Sequence, residues 1–232
     1  MLKDATRQMR AEGNTHVAFG NLARTTDTTF ELALLRWRRG ESPVGDMGAV
    51  VEWAERMIAA VGDWQPEEHT VVGYIYALDI ARYASFLLGR DLTIPTVISD
   101  LVGRHRSENA DVALSYHILD AIDGRPWRED LEPLLSRLAA KKRQALAVET
   151  YQTYIAILNT PQGDKSVEDL VRRAEENYTR RARDPFFSGG PGYMGGGPDN
   201  AYMVDFVLAA ILKKIGWDGE TIHRWRWSPR SI

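Results

Sequence analysis

The chain contains no cysteine in its 232 residues. Disulfide bridges, a thiolate nucleophile and a cysteine-based zinc site are therefore excluded. It also lacks a basic excess, with 29 Lys and Arg against 32 Asp and Glu and a formal net charge of −3. Nucleic-acid binders usually carry a strong positive field, so direct nucleic-acid binding is disfavoured. Long apolar runs are missing as well: the most apolar stretch, VVGYIYALDIARYASFLLG, is interrupted by Asp79 and Arg82, and the initial MLKDATRQMR has no apolar core of a signal peptide. The expectation is a cytoplasmic protein with no membrane partner.

Alternating β-branched runs are scarce too, whereas apolar residues recur every three or four positions almost throughout. That period predicts an all-α fold of about nine or ten helices packed in antiparallel hairpins. No fixed-period repeat is present, so a solenoid with a regular unit is not supported. The predicted helices are Leu2–Glu12, Thr28–Arg39, Met47–Val61, Pro66–Leu88, Pro95–His105, Ala110–Ile122, Arg128–Ala140, Lys142–Leu158, Val167–Arg183 and Asn200–Ile215. Gly40, Gly62, Gly89, Gly124 and Gly216 suit helix C-termini, and Ser166 with Asp169 resembles a capping box. The domain expectation is a single helical unit over 1–232. A subdivision into a helical core, 1–160, and a C-terminal hairpin, 161–232, is also open.

One segment breaks the helical pattern. SGGPGYMGGGP, residues 188–198, has six glycines in the ten residues after its serine. A phosphate-binding loop would follow its last glycine with Lys and then Ser or Thr, but Gly197 is followed by Pro198, Asp199 and Asn200. The glycines instead allow tight turning and close approach to a neighbouring surface, with Tyr193 and Met194 as candidate contacts to a protein partner.

Catalytic and metal chemistry find little to stand on. Glu220 and His223 have the Glu-x-x-His spacing of a bundle metal site, but the motif has no second copy, and His105 with Glu108 runs in the reverse order. His16, His69 and His117 are isolated, and no serine stands in a Gly-x-Ser-x-Gly turn. The expectation is a protein with no catalytic residue, no metal and no cofactor. Charged residues inside apolar segments are read as structural. Asp205, within AYMVDFVLAAIL, is expected on a central helix, satisfied there by an arginine, a tyrosine hydroxyl or backbone. Asp79 and Arg82, one turn apart, are expected to pair with each other.

The distribution of charge is uneven. From Glu41 to Asp79 the acids are Glu41, Asp46, Glu52, Glu55, Asp63, Glu67, Glu68 and Asp79, against Arg56 alone. Such a block is either an ordinary solvated surface or a face that attracts a basic protein. On the second reading Glu52, Glu55, Asp63, Glu67 and Glu68 are partner-binding candidates, together with Tyr193 and Met194.

The C-terminal quarter carries a resemblance. NYTRRARDPFF, a loop, and DNAYMVDFVLAAILKKIGWDGETIHRWRWSP together resemble the closing region of all-helical immunity proteins, which protect bacteria from their own secreted polymorphic toxins, nucleases among them. Tyr178, Phe186, Phe187, Tyr202, Ala209, Ala210, Ile215, Asp218, Trp227 and Pro229 follow the pattern. The acid that in the family directly precedes Ala-Ala stands one turn earlier here, at Asp205, with Leu208 before Ala209. The resemblance implies a non-enzymatic cytoplasmic inhibitor that binds one cognate protein toxin and covers its active surface. The alternative is a helical enzyme or ligand-binding domain whose pocket is closed by the 188–198 loop. A second copy of the chain is a further candidate partner.

Overall fold

In the computed structural model, residues 15–61, 71–94, 110–124, 131–142, 144–161, 164–182 and 204–217 are described. They contain eight α-helices and no strand: α1 (Thr15–Arg38), α2 (Val44–Val61), α3 (Val71–Leu88), α4 (Ala110–Ile122), α5 (Leu131–Ala139), α6 (Ala145–Asn159), α7 (Ser166–Ala182) and α8 (Phe206–Lys214). The protein is all-α, as the three- and four-residue period predicts. The further helices expected at Leu2–Glu12 and Pro95–His105 lie outside the described residues.

The helices end for local reasons. Gly40, Gly89, Gly124 and Gly216 all adopt positive φ, between 66° and 80°, a region that a Cβ disfavours. After α1, α3 and α8 the residue following the glycine donates its N–H five residues back, Glu41 to Arg36 (2.9 Å), Arg90 to Ser85 (2.8 Å) and Trp217 to Leu212 (2.9 Å). These are Schellman turns, which satisfy carbonyls that the helix itself leaves open.

Several expected helix starts move, α2 to Val44 from Met47 and α6 to Ala145 from Lys142 among them, and at α1 and α7 the side chains show why. α1 begins at Thr15 rather than Thr28. The threonine cluster that suggested a loop is absorbed because the hydroxyls of Thr25, Thr26 and Thr29 donate to the carbonyls of Asn21, Leu22 and Thr25, at 2.8, 2.9 and 2.6 Å. Backbone four residues upstream thus takes the hydroxyls that would otherwise compete with the helix. At α7, Ser166 is the first helical residue and its N–H donates to the Asp164 carboxylate at 2.8 Å. Asp164 therefore performs the capping expected of Ser166, while Asp169 pairs with Arg172.

Helix α1 packs on α2 and α3, and α2 on α3; α6 packs on α4, α5 and α7. The Arg36–Asp46 ion pair, at 3.0 Å, ties the end of α1 to the start of α2. Helix α8 lies against α3, α4 and α6 and so joins the two groups. All seven residues from Phe206 to Leu212 are buried, which requires partners on every side of that helix. Its Phe206 ring meets Phe30 and Tyr83 edge to face, with centroids 4.9 and 5.4 Å apart. One apolar cluster takes residues from all eight helices, from Phe30 and Met47 to Val171 and Leu212.

Candidate functional site

The outer face of α2 is set by its helical register. Val50, Val51, Ala54 and Met57 are buried, while Glu52, Glu55, Arg56 and Ala59 form an exposed stripe. Among the described residues, neither Glu52 nor Glu55 has an ion-pair partner. Arg56 lies over the Trp53 ring, 4.6 Å from its centre, so the one base of this acidic block is engaged with an aromatic. On α1, Asp27 is pushed up to about 6 by burial and by Glu31, and burial also raises Glu31. Asp63, Glu67, Glu68, Tyr193 and Met194 lie outside the described residues.

Beneath this face the core holds two sets of charged groups. The first joins α3 to α4. Asp79, Arg82 and Asp120 are 2, 9 and 5 % exposed, each inside the protein. Asp79 acts on Arg82 electrostatically, as expected of neighbours one turn apart, but the direct contacts of the guanidinium are made across the helix interface. Its Nη2 donates to Asp123 Oδ2 at 2.6 Å and lies 3.5 Å from Asp120 Oδ1, the first just after α4 and the second within it. Asp120, in the last turn of α4, and Asp123, one residue past its end, lie three positions apart and close on the guanidinium from across the helix interface. The Tyr116 ring adds a cation–π contact at 5.6 Å. Burial works against the charge of Arg82, but Asp79, Asp123 and Asp120 outweigh it and raise its affinity for the proton.

The second set surrounds Asp205, which is the N-cap of α8 and not an interior helical residue. One carboxylate oxygen accepts the Leu208 N–H at 3.0 Å and the other accepts the Tyr154 hydroxyl at 2.7 Å. The helix start explains why an acid is tolerated in so apolar a segment, since the open N–H groups and the positive dipole end both favour it. Burial nevertheless pushes Asp205 up to about 6, against the opposing effects of Tyr154, the Leu208 N–H and Arg181. Tyr178 donates its hydroxyl to the Val204 carbonyl at 3.2 Å and fixes the chain just ahead of the cap.

Sequence reasoning missed Asp120, Asp123, Tyr154 and Arg181. The signal for the first two was present: Asp120 lies in the apolar SYHILDAI, and Asp123 follows the negative dipole end of α4, where a carboxylate needs a cation. Tyr154 and Arg181 come from helices distant in sequence and carry no local mark. Among the described residues no three His, Cys, Asp or Glu side chains are grouped so as to hold a metal, and no helix is long and apolar enough to cross a membrane. Glu220 and His223 lie outside the described residues.

The chain matches no family model, no curated protein and no solved structure. Of the positions that carry the resemblance to immunity proteins, Tyr178, Ala209 and Ala210 are buried and Ile215 is half-buried against the core. Phe186, Phe187, Tyr202, Asp218, Trp227 and Pro229 lie outside the described residues. The described part of that pattern is therefore a packing pattern.

Proposed function

We propose that this protein is an immunity protein that binds a cognate secreted toxin and neutralises it, with the acidic face around α2 meeting a basic toxin surface. The observation that carries the reading is the exposed pair Glu52 and Glu55, without ion-pair partners among the described residues, on a helix whose other face is anchored in the core. Carboxylates left unneutralised on a rigid helix keep their field available to a partner. A nuclease toxin carries positive charge where it meets its polyanionic substrate. An acidic inhibitor can occupy that same surface and associate quickly by steering. The resemblance of the C-terminal quarter supports the family, and the charge map supports the mode of contact.

The test is co-expression with the reading frame adjacent to the gene. That frame should arrest growth when expressed alone and not when this chain is present, and a catalytically dead form of its product should copurify with this chain. A product that is harmless alone, or equally toxic with and without this chain, sinks the proposal.

A further inference from the structure

We infer that the basic toxin surface seats along one side of α2, anchored on Val44 and met by Arg90 as well as by the acids; this rests on the reading of the protein as an immunity protein and says how its acidic face is recognised. Positions 44, 48, 52 and 55 are four, four and three residues apart and so lie along one side of a helix. Val44, Glu52 and Glu55 are exposed there. The Arg90 side chain reaches in from just beyond α3, its Nη1 3.6 Å from the point where a Cβ on Gly48 would stand. Along α2 the order is therefore apolar, cationic, anionic, anionic. Glu52, Glu55 and Arg90 have no ion-pair partner among the described residues, so none of these three charges is matched within the fold.

The other flank of α2 offers less. Asp46 and Trp53 are seven residues apart and share it. Asp46 is paired with Arg36 at 3.0 Å, and the Arg56 guanidinium lies over Trp53, 4.6 Å from the ring centre. Val44 and Leu32, 44 and 42 % exposed, are the large apolar side chains that the described residues leave in water. Leu32 lies on α1 one turn before Arg36, beside the flank whose acid is already matched. An apolar side chain to cover and unmatched acids to attract a basic partner coincide on the Val44 side.

Each part acts on a different step of binding. Glu52 and Glu55 act at a distance and speed encounter. Val44 acts only on contact, when water leaves it, and so slows release. Arg90 opposes the long-range attraction of a basic partner, so it contributes only where that partner brings an acid to it. The surface that fits carries two basic side chains opposite Glu52 and Glu55, a carboxylate opposite Arg90, and an apolar side chain about 12 Å from the bases, the helical rise from position 52 back to position 44.

Surface-immobilised binding of the full chain to the catalytically dead product of the adjacent reading frame tests this. Val44→Ser should raise the dissociation rate about tenfold and leave association within about twofold. Arg90→Ala should also raise dissociation, by about fivefold, although it makes the face more acidic. A face recognised by net charge alone would bind more tightly after that change. Leu32→Ser should bind as wild type does. All three positions are exposed, so the variants should keep the wild-type urea midpoint. Unchanged dissociation in either Val44→Ser or Arg90→Ala overturns the inference while the toxin reading stands. A loss confined to Leu32→Ser does the same, since it puts the partner on the other flank. No binding by wild type fails the reading itself, and the inference with it.

Discussion

Asp205 and Asp79 are the same residue type at nearly the same depth, 5 and 2 % exposed, yet the protein accommodates them differently. Asp205 has its own donors, the Tyr154 hydroxyl and the Leu208 N–H, one for each oxygen. Asp79 faces the Arg82 guanidinium, which Asp120 of α4 and Asp123 just beyond it also contact. Burial raises both, to about 6 and about 7. How far a buried acid is driven toward its neutral form thus depends on the supply of donors and cations as well as on depth. The two sites also do different structural jobs: the first starts the central helix, and the second closes α3 on α4.

Removing the shared cation should break the comparison most severely. Arg82→Met keeps the length of the side chain but removes the cation that Asp79, Asp120 and Asp123 face, and should destabilise the protein by about 3–5 kcal/mol near pH 7.5. Adding Asp79→Asn and Asp120→Asn should return a large part of that loss, because the penalty comes from stranded charge and less from the missing contacts. Urea unfolding of the single and triple variants measures both effects. Equal stability of the two would mean that packing of the arginine stem, and not charge, is what Arg82 contributes.

Asp205 sharpens the other half. Asp205→Ala removes the cap of α8 and leaves the buried Tyr154 hydroxyl without its acceptor, a loss of about 2 kcal/mol. Tyr154→Phe removes one donor only and should lose about 1 kcal/mol. The double variant should lose less than the sum, with a coupling above about 0.5 kcal/mol in a double-mutant cycle. Strict additivity would mean that the 2.7 Å contact contributes nothing to stability.

The pH dependence separates the two acids further. Each has its folded affinity for the proton raised, so each costs stability as pH rises from the ordinary aspartate range toward its own folded value. For Asp205 that window closes near 6, and for Asp79 near 7. The ratio of folding constants between Asp205→Asn and wild type should therefore stop changing about one pH unit below the corresponding ratio for Asp79→Asn. Coincident end points would show that the two carboxylates titrate as one coupled system.

These sites also mark where sequence reading succeeds and where it stops. Ala110–Ile122 is a helix with the bounds that its apolar period and Gly124 predict. The central position of the AYMVDFVLAAIL segment follows from its near-continuous apolar character, and Phe206–Leu212 are all buried. The role of its acid did not follow, because a carboxylate inside a helix and one that caps a helix have the same apolar neighbours in sequence. Partner choice was illegible for a different reason. Arg82 reaches Asp123 across 41 positions and Asp205 meets Tyr154 across 51, and such pairs are set by packing that local periodicity does not encode. Glu52 and Glu55 fall on the exposed stripe that a 3.6-residue period assigns them, since only the period is needed to place them.

The smallest effect on stability should come from those two outer acids, and it contrasts most directly with the inner ones. Glu52→Lys with Glu55→Lys changes the net charge by +4 without disturbing any ion pair among the described residues. Exposed substitutions of this kind alter stability by about 0.5 kcal/mol or less, against several kcal/mol for Arg82. If the α2 face steers a basic toxin, the same double reversal should lower the association rate with the catalytically dead candidate toxin by about tenfold or more at low salt, while leaving dissociation much less affected. Raising the salt should slow wild type toward the variant, because screening removes the field that the reversal removes chemically. Surface-immobilised binding at two ionic strengths reads both. Equal association rates at low salt would detach the acidic face from recognition, and growth protection by the double variant would then show whether immunity acts through another surface.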